Sequence, residues 1–280
     1  IRPIIDYGDV ICDNLKKCDR EILENIQRQA ALACTGAYKH TSHKRLLNEL
    51  GWQSLEERRK CNRLVVLYKI YNHLAPCYLI DHFVPYKDNK CLYELRSKND
   101  LKLPRFKTKF VSSSFVPKTI RDWNDINDSI KYSQSLSIFK QNLHKYCGKH
   151  ADPLYRTYHG AHGKHLSRLR MGLSGLNNHR FKYKFISDAS CSYCGHKKED
   201  EIHFLLDCPN FAADRGKLLQ DIAPIFTNVD VNVPELLSTR NKKEKLIKFI
   251  LFGHSGLSLV QNINMHKCIL RFISDSNRFR

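Results

Sequence analysis

Four residues of this 280-residue chain have the types and spacing of a metal-binding set: Cys191 and Cys194 in a C-x2-C pair, then His203, then Cys208. Two thiolates separated by two residues can grip one ion from a single tight turn, and Gly195 just behind them lets the backbone fold beneath it. His203 and Cys208 complete a tetrahedron of nitrogen and sulfur donors, the set that suits zinc. Both sit on a short apolar stretch, Ile202 to Leu206, expected to form one or two helical turns stopped by Pro209. Four protein ligands leave no open position, so the expected ion is one structural Zn2+ and not a catalytic metal. His196 competes with His203, but two residues after Cys194 it lies too close in sequence to wrap back onto the ion. Incidental buried thiols are the alternative in a chain with 11 cysteines and 14 histidines. Against it, no second C-x2-C occurs, and Cys12, Cys18, Cys34, Cys61, Cys77, Cys91, Cys147 and Cys268 each read as a small apolar core residue.

Upstream of the metal set the chain is strongly basic. Residues 140–184 hold ten Lys or Arg against one acid, Asp152, with Tyr146, Tyr155, Tyr158, Phe181 and Tyr183 interleaved. Cations that take phosphates and rings that stack on bases suit single-stranded or looped nucleic acid. Lys145, Lys149, Arg168, Arg170, Lys182 and Lys184 are the candidate contacts in this stripe. Arg58, Arg59 and Arg63 form a second group, near a helix start where the backbone dipole prefers anions; cations there point to an external anion, or to a solvated turn. The bland reading of Phe181 and Tyr183 is a strand with an apolar inner face, because they alternate with Arg180, Lys182 and Lys184.

Composition sets the frame for these sites. Net charge is +19, and both halves carry it: residues 1–150 have 27 Lys+Arg against 16 Asp+Glu, the remainder 20 against 12. A polyanion is the partner such a charge favours, RNA or DNA first among them. A hydrophobic content of 42% is enough for one sizeable core or two smaller ones. An odd cysteine count without framework spacing argues for a reducing, intracellular compartment, nucleus or cytoplasm. The longest apolar runs are interrupted by lysine and fall short of a membrane span. The chain starts at Ile1 within what reads as an ordered segment, so a fragment is expected. Neither paired carboxylates in a phosphoryl-transfer context nor a Gly-rich phosphate loop occurs, so no catalysis is expected of this chain alone.

The elements that must position these residues read as mostly α. Helices are expected over Asp19–Cys34 with Ile22, Ile26, Ala30 and Ala33 as its buried stripe; from Ser42 to Gly51; and from a capping box at Ser54 and Glu57 to about His73. From Tyr86 to Val116 the periodicity breaks into β-branched, aromatic and basic residues, read as short strands or an extended segment. Helical pattern resumes at Ile120–Ile126 and Leu136–Tyr146. Four regions follow: 1–80 helical, 81–147 connecting, 148–163 a Gly/Pro-bearing linker, and 164–280 a small helical zinc-binding domain with helices near Phe211–Ile222, Lys242–Phe252 and Leu257–Ile273.

Longer strings carry a resemblance. Ile1-Arg2-Pro3-Ile4-Ile5-Asp6-Tyr7-Gly8-Asp9, Leu23-Glu24-Asn25-Ile26-Gln27-Arg28, Leu46-Leu47-Asn48-Glu49-Leu50-Gly51-Trp52, Ser114-Phe115-Val116-Pro117, Ile120-Arg121-Asp122-Trp123-Asn124 and Leu169-Arg170-Met171-Gly172, together with Glu199 to Leu206 and Cys208-Pro209, resemble animal non-LTR retrotransposon reverse transcriptases of the jockey-like type. The similarity covers nearly the whole chain. It implies a C-terminal fragment beginning just past the catalytic palm: thumb-side helices, a connecting region and the terminal cysteine-histidine module, without the upstream polymerase and endonuclease domains. The parent would be an RNA-directed DNA polymerase, and this part would bind RNA or DNA without catalysing. Cys12 stands where such sequences usually have tryptophan, and Asn127 where a Leu-Pro pair is usual. A zinc-stabilised protein-interaction module that binds no nucleic acid is the competing expectation.

Overall fold

The computed structural model describes residues 2–11, 14–85, 100–147, 155, 161–229 and 231–279. It is mostly helical, and no sheet forms among the described residues. The principal helices are α1 (Lys17–Thr35), α2 (His43–Leu50), α3 (Leu55–Tyr71), α4 (Phe115–Asp125), α5 (Leu136–Cys147), α6 (Ala161–Arg170), α7 (Asn177–Lys182), α8 (Ala212–Phe226), α9 (Arg240–Phe252) and α10 (Leu259–Asp275). Among the described residues no helix is long and apolar enough to cross a membrane. The chain packs as two compact units, Ile1–Gln27 with Trp52–His150, and Arg28–Gly51 with Ala151–Arg280.

In the first unit α3 is the central helix. Ser54 accepts from the Glu57 backbone N–H while the Glu57 carboxylate accepts from that of Ser54, a reciprocal cap that fixes where the helix begins. Leu64, Leu67, Tyr68 and Ile70 then face Ile120 and Trp123 of α4 and Phe139 and Leu143 of α5. The Tyr68 ring stacks on Phe139 with centroids 4.3 Å apart, and its hydroxyl donates to the Ser133 carbonyl at 2.6 Å, so the polar tip of a buried ring is satisfied. Between the same helices the sulfurs of Cys61 and Cys147 lie 2.8 Å apart.

In the second unit α8 and α10 pack on each other with α6 and α9 against them, around Leu166, Leu218, Ile222, Phe226, Ile250, Met265 and Ile269. Phe204 sits among Phe211, Phe272 and Phe279, with ring centroids 5.3–5.4 Å away, so the segment that follows His203 is itself part of the core. Glu49, from α2, accepts from the Tyr155 hydroxyl at 2.8 Å and pairs with Arg170 at 3.0 Å.

Several expectations change. The stripe on α1 is reversed: Ile22 and Ile26 are 61% and 40% exposed, whereas Gln27, Ala31 and Thr35 are buried. Small and self-satisfied side chains allow this close approach: the Thr35 hydroxyl donates to the Ala31 carbonyl and the Gln27 amide to that of Gln53. The expected strands do not form among the described residues, where one isolated bridge joins Pro85 to Leu101; residues 86–99 lie outside the description. Part of that stretch is helical instead. Thr108 caps a turn over Lys109–Ser112, and Pro117 lies in the first turn of α4, where its missing N–H costs nothing. Cys18, Cys34 and Cys77 are exposed, not core residues; Cys12 and Cys91 are outside the described residues. Of the expected linker, only residues 155 and 161–163 are described.

Candidate metal centre

The four expected ligands converge. One donor atom from each of Cys191, Cys194, His203 and Cys208 can be chosen so that all lie within 4.8 Å of one another. Cys191 and Cys208 sulfurs are 4.0 Å apart, and the Cys194 sulfur is 3.3 Å from His203 Nε2. A tetrahedron with metal–sulfur bonds of about 2.3 Å has edges of roughly 3.8 Å, so these separations fit a single ion at the centre.

Local backbone chemistry builds each half. The Gly195 N–H donates to the Cys191 carbonyl at 2.9 Å and the Cys191 N–H to that of His196 at 2.8 Å, a tight turn that requires the left-handed φ of +71° found at Gly195. The other half is a widened turn, His203–Asp207, closed by the Cys208 N–H on the His203 carbonyl at 2.7 Å. A bond spanning five residues instead of four turns His203 and Cys208 to the same side. Asp200 caps this turn through the His203 N–H at 2.9 Å and is held by Arg240 at 2.6 Å.

Glu199 is the residue that sequence reasoning missed. It is buried, accepts from the Asn177 backbone N–H at 2.8 Å, and accepts from Arg278 Nε and Nη2, each at 2.6 Å. The same Asn177 donates its amide to the Ser190 carbonyl at 2.7 Å and to the Ser192 hydroxyl at 2.9 Å. Asn177 and Arg278 thus clamp the cysteine turn from both sides. Pairing with Glu199 raises the Arg278 pKa further above its usual value. An acid eight residues after Cys191 and an arginine near the end of the chain give no local pattern that would have paired them.

Burial, with the neighbouring Cys194 and Cys191 thiols, pushes Cys208 up to about 12, and burial followed by His196 lowers His203. A cation would displace the thiol protons and bind the neutral imidazole, the protonation state that the lowered histidine already favours. Among the described residues no hydrogen-bond partner meets the buried His203 Nδ1, so none of them fixes the ring's tautomer. His196 is not in the quartet; its ring stacks on His203, centroids 4.5 Å apart, and its Nδ1 engages Lys198. Three thiols and one imidazole, mostly buried, form a closed set that could hold a metal ion.

The candidate nucleic-acid contacts divide sharply. Arg58 pairs with Asp6, Arg59 is buried, and Arg63 makes a two-point pair with Asp122 at 3.0 and 2.5 Å. Arg168 donates to the Gly36 carbonyl at 2.6 Å and covers the Tyr38 ring, and Arg170 pairs with Glu49. Arg58, Arg63, Arg168 and Arg170 thus each have a partner within the chain, and Arg59 and Arg63 are buried, where a guanidinium needs such a partner. Lys145 is exposed in the last turn of α5, and Lys182 and Lys184 are exposed at the end of α7. Lys149 and Tyr158 lie outside the described residues, and Tyr155 is internal.

No protein-family model matches the chain, and neither curated proteins nor solved structures give a match.

Proposed function

We propose that this chain is a non-catalytic nucleic-acid-binding segment braced by one structural zinc ion, derived from the C-terminal part of a non-LTR retrotransposon reverse transcriptase. The observation that carries the binding role is the placement of α7. Asn177 anchors its start to the cysteine turn, while Arg180, Lys182 and Lys184 stand exposed along it with no carboxylate paired to them among the described residues. A metal-fixed turn thus holds a cluster of solvent-facing cations, which suits RNA or DNA phosphates. Zinc is the ion that the donor set favours, since three thiolates and an imidazole at tetrahedral spacing suit it over harder cations. The parentage rests on the sequence strings alone.

Titrating the full chain with short RNA and DNA at several salt concentrations tests the binding role. Affinity should fall linearly in log–log form as salt rises, and Lys182→Ala with Lys184→Ala should flatten that slope by about 0.7 per lost contact on a single strand. A competing reading, a zinc-stabilised protein-interaction module, is favoured by the exposed Ile4, Tyr7, Ile11, Ile22 and Ile26. Absence of binding at low salt would select it. One bound zinc per chain by elemental analysis, lost on Cys194→Ser, tests the metal.

A further inference from the structure

We propose that Tyr38, Tyr183 and Phe185, with Arg180, Lys182 and Lys184, form a stacking platform for the unpaired bases of a single-stranded nucleic acid. This deepens the nucleic-acid reading above and rests on it: it adds which side chains meet bases and that the strand must be single.

Three large rings within five residues stand out from the second unit. Phe181 is 47% exposed, Tyr183 48% and Phe185 66%. Apolar rings left bare at this density are a mark of a binding surface. Their exposure follows from how α7 ends. The Phe185 N–H donates to the Arg180 carbonyl at 2.8 Å and the Lys184 N–H to that of Phe181 at 2.9 Å, the paired bonds of a helix stop that needs a left-handed residue. Glycine usually fills that position; here Lys184 does, at φ +59°. The backbone strain that glycine would relieve is retained, and it keeps a cation on the rim between two aromatic side chains.

The rings continue into an array that only folding assembles. Tyr38, far off in sequence, lies nearly parallel to His179 at 6.0 Å and near Phe185 at 6.5 Å, and His179 meets Tyr183 at 4.7 Å. The Arg168 guanidinium lies 5.1 Å from the Tyr38 centroid and holds that ring in place. Phe181, Lys182, Lys184, Phe185, Ile186 and Ser187 line an open hollow of about 700 Å³. Every base has a π face, so such rings accept any sequence, while flanking cations reach the phosphates. A duplex hides those faces within its own stack. The platform should therefore separate single strands from duplexes, which positive charge alone would not.

The test uses the full zinc-loaded chain and fluorescence anisotropy with a short oligouridylate and a duplex of equal length. Tyr183→Ala with Phe185→Ala should weaken single-strand binding about tenfold or more, leave duplex binding and the salt slope unchanged, and be restored by Tyr183→Phe with Phe185→Trp. Lys184→Gly supplies a second reading that a purely structural role could not produce: the melting temperature rises while single-strand affinity falls. Unchanged single-strand binding by the double alanine variant, or equal losses on single strand and duplex, overturns the platform and leaves general nucleic-acid binding standing. A Lys184→Gly chain that binds as tightly as wild type also counts against it. A wild-type chain that binds neither probe overturns both readings.

Discussion

At the start of α3, in the first unit, the arginines turn inward: Arg58 meets Asp6, Arg63 meets Asp122, and Arg59 is buried. At the end of α7, in the second unit, Arg180, Lys182 and Lys184 point outward with no carboxylate against them among the described residues. Both stretches are short basic runs on a helix, and in sequence they look alike. What separates them is the supply of acids from elsewhere in the chain. Asp122 lies 59 residues beyond Arg63 and packs beside it because α3 and α4 share a core. Around α7 the acids have other partners: Glu199 is taken by Arg278 and the Asn177 backbone, Asp188 by Ser190 and Glu201 by Ser174. Net charge alone therefore does not say which cations face solvent: those at the start of α3 are turned onto acids of the same unit, while Arg180, Lys182 and Lys184 stand exposed beside the cysteine turn.

With the proposed zinc bound, the two units would also differ in what holds them, and that contrast can be broken experimentally. The largest effect should come from metal removal. Apparent binding energies of comparable zinc sites, about 10–16 kcal/mol, rival the whole stability of a domain, so chelation or Cys191→Ser with Cys194→Ser should unfold residues 164–223. Hydrogen exchange should show that stretch losing protection while α3, α4 and α5 keep theirs; uniform loss would mean that the two units do not differ in this respect. The converse is Asp122→Ala, which removes the two-point partner of the buried Arg63 in the first unit and should cost about 1.5–3 kcal/mol, with chelator-sensitive exchange in the second unit unchanged. Smaller again is the Ser54→Ala cap loss, about 1 kcal/mol by denaturant titration. Smallest of all, Ile22→Ser on the outward face of α1 should shift stability by no more than about 0.5 kcal/mol, because that residue is already largely in solvent. A large loss there would mean that the exposed face is covered in solution.

Much of this was legible beforehand where the signal is local. The Ser54–Glu57 box, the Gly51 stop of α2 with φ +62°, and α9 and α10 to within a few residues all follow from short-range propensities. The cysteine quartet was legible for the same reason, since all its ligands fall within eighteen residues and one tight turn places two of them. The errors share a cause as well. The face of α1 was misread because apolarity alone does not say which side a neighbouring segment covers, and Ala31 and Thr35 admit closer packing than Ile22 and Ile26 would. The internal partners of Arg58, Arg63, Arg168 and Arg170 were illegible for a similar reason, since Asp6, Asp122, Gly36 and Glu49 lie up to 132 residues away.

By itself, then, the sequence determined the cysteine-histidine quartet that could hold a metal ion, the helical class and the location of the principal helix ends, because each depends on contacts within a turn or two. Only the tertiary structure decided which cations are free and which rings are exposed. Charge and aromaticity belong to the residue, but their use depends on what the fold places opposite them: an aspartate beside Arg63, a carbonyl beside Arg168, and solvent beside Lys182, Lys184 and Phe185.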